Sequence, residues 1–146
     1  MSPRAVRSLY GVLLGALIVL SGTPSWAQKE QMHRIVFELT SDSEEQSQAL
    51  LNNIENVQKA FGKENTEIEV VAHGKGLSLL KNTTPLKERV TAIAATGPKF
   101  VACENTMRRQ QLKKDDLLPA AGTVDSGVAE VIRKQEARWS YIKSGS

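Results

Sequence analysis

Cysteine is nearly absent from this sequence: one residue of 146, Cys103, carries a thiol. An odd count cannot be paired off within the chain, so that sulfur is buried, bridged to another chain, or kept for chemistry. Histidine is almost as scarce. His33, His73 and Cys103 do not make a spaced ligand cluster, so no metal site is expected and no cofactor is called for. A phosphate loop is missing as well: in "HGKG" (73–76) Gly76 follows Lys75 where Ser or Thr is required, and no glycine stands at the required distance upstream. Ser126 has only scattered acids around it and no base in evident reach, which argues against a hydrolytic nucleophile. Internal repeats and low-complexity linkers are absent, apart from a frayed "KSGS" at the end.

Long apolar runs are lacking too. The best of them, Leu9–Leu20, falls short of the roughly 18 to 20 residues needed to span hydrocarbon. Arg4 and Arg7 precede it, and Gly22, Pro24 and the small-residue pattern Ser25-Trp26-Ala27 follow, which is the three-part layout of a secretory signal peptide. Cleavage after Ala27 is expected, leaving residues 28–146 as one domain in the periplasm with no stable membrane insertion. No cysteine follows the run to accept a lipid. The positive charge leaves with the leader: the formal net charge of +3 drops by those two arginines to about +1. Binding to nucleic acid or to an anionic membrane surface thereby loses its electrostatic motive.

What is present is alternation. "HRIVFELT" (33–40) reads as a strand covered on both faces. Ser43, three residues ahead of Gln46, caps a helix whose stripe is Leu50, Ile54, Val57 and Phe61, with Gly62 as its stop. "EIEVVAHGKG" (67–76) gives a second strand ending in a glycine-rich turn, and Leu77–Leu80 adds a turn of helix. Thr84 caps the next helix, with Pro85 at its first position and Gly97 as its stop. A third strand, Lys99–Cys103, runs into a helical segment capped by Asn105 or Thr106. After "DDLLP" a brief strand at Thr123 and Val124 precedes a helix opened by Gly127, with Val128, Val131, Ile132 and Gln135 on one face. "WSYIK" (139–143) reads as an edge strand, whose Trp139 and Tyr141 serve packing or a subunit contact. Strands alternating with helices predict a parallel α/β sheet of about five strands with helices on both faces.

Parallel strands end at one edge of such a sheet, and binding crevices form there. Cys103, the "HGKG" turn and Asp125-Ser126 all fall at strand ends. Cys103 also precedes a helix start, where unpaired N–H groups and the helix dipole favour a thiolate. The alternative is a small inert hydrophobe at the end of a core strand.

"FVACENTM", the earlier "VVAHGKG" and the late "VDSGVAEVIRKQEARWSYIK" together resemble the DsrE/DsrF-like family of small sulfur-relay proteins, over nearly all of the mature chain. The resemblance implies a flavodoxin-like three-layer sandwich, assembly as homo-oligomers such as trimers or hexamers, and a strand-end cysteine that carries sulfur as a persulfide. Cys103 occupies that place. His73 and Lys75 are candidate helpers, supplying positive charge or a proton, and Gly74, Gly76, Asn105 and Ser126 are candidate substrate-binding positions. Arg138 stands before Trp139 where relatives tend to place glycine. Sulfur donors and acceptors, proteins or small thiols, are the partners implied. The competing expectation is a non-enzymatic oligomeric module that binds a small ligand or a protein, with Cys103 merely structural.

Overall fold

The computed structural model describes residues 31–144; the expected leader, residues 1–27, and the last two residues of the tail lie outside the described residues. Five strands, β1 (His33–Leu39), β2 (Thr66–Ala72), β3 (Lys99–Cys103), β4 (Ala121–Val124) and β5 (Ser140–Ser144), form one sheet in the order β4-β3-β2-β1-β5. Every pairing is parallel. The helices are α1 (Glu44–Phe61), α2 (Lys87–Ala94), α3 (Glu104–Arg109) and α4 (Gly127–Glu136), and a 3₁₀ segment spans Gly74–Leu80.

The order of the strands dictates the layers. From β1 to β4 the chain steps across the sheet in one direction, so right-handed crossovers put α1, α2 and α3 on the same face. The last crossover, from β4 back past β1 to β5, runs the other way and puts α4 on the opposite face. The core divides accordingly. Phe37, Leu39, Val70, Phe100 and Ala102 of the strands meet Leu50, Leu51 and Ile54 of α1, Val90 and Ile93 of α2 and Met107 of α3. The other side is smaller: Val36, Val71 and Val101 meet Val131 of α4 and Trp139. Each fully buried large side chain contributes about 1.5–3 kcal/mol through removal from water. The expected three-layer sandwich is therefore present, but its two outer layers are unequal.

Most elements form where the sequence places them. Ser43 caps α1 by accepting the Gln46 N–H at 3.4 Å, and Gly62, at φ 87°, closes it with its N–H on the Gln58 carbonyl. Three expectations need correction. Phe61 does not join the buried stripe: it is 46% exposed and stacks on His33 with ring centres 4.0 Å apart, because the last turn of α1 overhangs the start of β1. The second helix starts at Lys87 rather than behind Thr84, whose hydroxyl instead takes the Leu86 N–H in a turn. On α4, Val128 and Ile132 are 55% and 52% exposed and Gln135 is exposed, so of the expected face only Val131 is buried. The helix turns Gly127, Val131 and Lys134 toward the sheet instead.

Lys134 faces inward because β2 holds an acid there. Its Nζ lies 2.8 Å from Glu69, buried on the sheet, and sits 4.1 Å above the centre of the Trp139 ring. Burial pushes the Glu69 carboxyl above its ordinary range despite the attraction of Lys134. Trp139 is thus a core residue, and the expected edge strand begins one residue later, at Ser140. Arg138, just before it, adopts φ 63°, the left-handed conformation that glycine takes without cost.

Candidate functional site

Adjacent strands β3 and β4 send their following helices to opposite faces, and at that divergence a crevice opens outside their carboxyl ends. Cys103 is the last residue of β3 and the cap position of α3. Asn105 and Thr106, expected as caps, therefore lie inside the first turn, where their N–H groups are free of helical partners. Across the crevice Ser126 caps α4, accepting the Ala129 N–H at 3.4 Å. The cleft has a volume of about 440 Å³ and is walled by His73 and Cys103, by Asn105, Thr106, Arg108 and Arg109 of α3, and by Ser126 and Val128.

Cys103 is 4% exposed, yet it lines this cleft rather than the interior alone. Burial pushes its thiol up. Against that act the backbone N–H of Gly127, the N–H and hydroxyl of Thr106, and the N–H of Asn105, all directed at the sulfur, and together they hold the thiol below its ordinary value. Two helix starts thus converge on one sulfur. The Thr106 hydroxyl is oriented by a bond on its other side. Buried itself, it accepts the Gly74 N–H at 3.0 Å, which leaves its own proton for Sγ. The Gly74 carbonyl in turn accepts from the Gln110 side chain at 3.0 Å, fastening the "HGKG" turn to α3.

The guanidinium groups of α3 give the cleft a positive rim. Arg108 donates to the Asn105 amide oxygen and Arg109 lies 3.5 Å from the Thr106 hydroxyl. Neither is paired with a carboxylate among the described residues, whereas Arg89 and Arg133 are held by Glu55 and by Asp125 with Glu130.

His73 reaches the cleft from the end of β2. Its Nε2 lies 2.7 Å from Glu38 Oε1, and the other oxygen of Glu38 accepts the Tyr141 hydroxyl. Burial raises the Glu38 carboxyl, but these two bonds and the charge of His73 and Lys143 outweigh it, so it stays below the ordinary range. The bond to Glu38 pushes the Tyr141 phenol up to about 12. The His73 ring lies against Gly127, where an added Cβ would stand 2.9 Å from His73 Cβ and 3.1 Å from Cδ2.

The structure brings together Cys103, His73, Asn105 and Ser126 from the sequence-based set. Gly74 joins through its backbone bond to Thr106. Lys75 is exposed and does not wall the cleft, and Gly76 packs on β1, where a Cβ would meet the Leu39 carbonyl oxygen at 2.1 Å. Sequence reading missed Thr106 as a hydroxyl donor, Arg108, Arg109, Val128, Gly127 as a donor to sulfur, and the pair Glu38 and Tyr141. The helical register of "ENTMRR" was the available signal for the arginines. Among the described residues no cluster of three or more His, Cys, Asp or Glu could hold a metal ion, and no helix is long and apolar enough to cross a membrane.

Comparison with known proteins places this geometry. A solved structure, the protein of unknown function MTH1491 from Methanobacterium thermoautotrophicum, is 33% identical, with a TM-score of 0.73 over 76% of this chain and 98% of that one. The conserved protein of unknown function BT1422 from Bacteroides thetaiotaomicron shares the fold at 11% identity, with a TM-score of 0.61 over 75% of this chain and 93% of that one. No curated protein matches the sequence. The model of the DsrE/DsrF-like family matches residues 33–144, the whole of the sheet from the first residue of β1 to the last of β5, and the chain belongs to that family.

Proposed function

We propose that the protein carries sulfane sulfur as a persulfide on Cys103 and passes it to an acceptor thiol. The observation that carries this reading is the sulfur's setting: a thiol held below its ordinary value by donors from two helix starts, at the wall of an open cleft. In the loading step the Cys103 thiolate attacks the outer sulfur of a donor persulfide. A new S–S bond forms, the donor's own S–S bond breaks, and its electron pair leaves on the donor thiolate. In the second step an acceptor thiolate attacks the outer sulfur, and the pair returns to Cys103. Sulfur moves without net oxidation or reduction, at rates set by thiolate fraction and access. In the persulfide anion the charge sits on the outer sulfur, one S–S bond beyond Sγ, so the donors at Sγ favour the thiolate that attacks in loading and departs in transfer.

Donor and acceptor are proteins or small thiols, and the leader expected at residues 1–27 puts the relay in the periplasm. The exposed Val128 and Ile132 of α4 and the edge strand β5 are the surfaces on which a homo-oligomer is expected to form. Mass spectrometry after incubation with a polysulfide tests the reading: one added sulfur on the native protein, absent in Cys103→Ala, is the expected result. A native Cys103 that alkylates only after denaturation refutes it and leaves the binding-module alternative.

A further inference from the structure

Resting on the sulfur-carrier reading, we propose that Glu38 and Tyr141 are positioning residues that hold His73 as the proton-transfer group of the cleft. The three side chains form one hydrogen-bonded line: the Tyr141 hydroxyl on one oxygen of Glu38, the other oxygen 2.7 Å from His73 Nε2, and His73 in the wall of the cleft that holds Cys103. The line joins three neighbouring strands: Tyr141 near the start of β5 reaches Glu38 near the end of β1, and His73 follows the last residue of β2. Both carboxylate oxygens are occupied, which fixes the plane of the carboxylate and, through it, the rotation of the imidazole. A partly buried acid is a costly choice where packing alone is needed, since an apolar residue fills the same space without desolvation.

Gly127 ties the line to the sulfur. Its N–H is directed at Cys103, and its missing side chain makes the space in which the His73 ring lies. With Nε2 engaged by Glu38, Nδ1 is the ring nitrogen left to exchange protons with the contents of the cleft.

Loading needs such an exchange when the donor is a hydropersulfide. The Cys103 thiolate takes the outer sulfur of R–S–S–H, giving Cys103–S–S–H and R–S⁻. His73 accepts the persulfide proton and returns one to the departing thiolate, so the products are Cys103–S–S⁻ and R–S–H. One S–S bond forms, one breaks, and the proton is conserved. Alkylation by iodoacetamide uses the same thiolate but moves no proton through His73.

The two reactions therefore separate the roles. Loading from glutathione persulfide, read by mass spectrometry, is compared with iodoacetamide alkylation in the full chain and in His73→Ala, Glu38→Gln and Tyr141→Phe. Loading is expected to slow about 100-fold, about tenfold and about threefold respectively, within the range for positioned acid–base groups, while alkylation stays within about twofold. If Glu38→Gln does not fold, Tyr141→Phe, a half-exposed change at the edge strand, carries the test. Loading and alkylation falling together, or loading unchanged, overturns the inference. A wild type that alkylates readily but accepts no sulfur overturns the carrier reading itself, and this inference with it.

Discussion

Thr106→Val tests the hydroxyl's share in holding the Cys103 thiolate. Valine keeps the shape of the buried side chain but removes the O–H directed at Sγ together with the oxygen that accepts the Gly74 N–H, whereas serine keeps both. A hydrogen bond to a charged acceptor is worth about 1.5–3 kcal/mol, and a diffuse sulfur at an open cleft belongs at the low end. A loss of about 1.4 kcal/mol is a factor of ten in thiolate population below the titration midpoint. The thiolate that remains is more basic and more nucleophilic, and a Brønsted slope of about 0.4–0.5 returns roughly threefold. Exchange with a small aromatic disulfide, followed by absorbance across pH, is therefore expected to slow about threefold on the acid side and to quicken about threefold at the alkaline plateau. The two pH–rate curves cross, with the Thr106→Val midpoint displaced upward. Thr106→Ser keeps the O–H and tracks the wild type. Superimposable curves, or a Thr106→Val rate lowered by the same factor at every pH, refute the reasoning, the second because it signals lost access rather than a lost proton donor.

Four further outcomes follow from the contacts described above. Lys134→Met leaves Glu69 buried without its partner and is expected to cost about 3–5 kcal/mol in urea unfolding at neutral pH. Because burial makes folded Glu69 the readier to bind a proton, that loss should shrink as pH falls toward the carboxylate range, and a pH-independent loss contradicts the assignment. Gly76→Ala drives a Cβ to 2.1 Å from the Leu39 carbonyl oxygen and should cost about 3 kcal/mol or more, while Gly74→Ala meets nothing within 4 Å. The second should cost only the roughly 1–2 kcal/mol of a left-handed alanine, so equal thermal-unfolding losses exclude the close contact. The Tyr141 phenol should titrate by absorbance at about 12, moving back toward 10.0 in Glu38→Gln. Its raised folded value means that its stabilisation is complete below pH 10.0 and is lost as pH rises through about 12. Finally, Arg108→Ala and Arg109→Ala should each lower the preference of Cys103 for iodoacetate over iodoacetamide by about threefold, the effect of one exposed charge a few ångströms away, and an unchanged ratio removes the arginines from the cleft's field.

The strands were legible because punctuation and period agreed. Gly97-Pro98 marks the start of β3 and the polar "ENT" its end, so Lys99–Cys103 stands as expected. Cys103, Asn105 and Ser126 could be placed together because parallel strands must end on one side. The failures share one cause, which is that faces are decided by what lies opposite. Lys134 reads as solvated until Glu69 on β2 is known to sit beneath it, and the preference for Val128 and Ile132 as the inner face of α4 followed from ignoring a charged residue. Glu38 is lost inside a run that reads as apolar, although Arg34, Val36 and Glu38 alternate onto a single face. Its partner Tyr141 is 103 residues distant, and no local pattern joins them. Arg138 shows the converse: a departure in residue type kept the backbone turn, at the expense of a left-handed arginine.

The place of β5 beside β1 has a kinetic meaning. Strands β1 to β4 are neighbours in sequence and pair across short crossovers, but the far flank of β1 stays open until the longest-range pairing of the sheet, with β5, has formed. Until then the Glu38 carboxylate has no phenol to meet. The hydrogen-bonded line is thus completed by the strand farthest along the sequence from Glu38, and a chain truncated before residue 140 is expected to keep the Glu38–His73 bond while one Glu38 oxygen loses its partner.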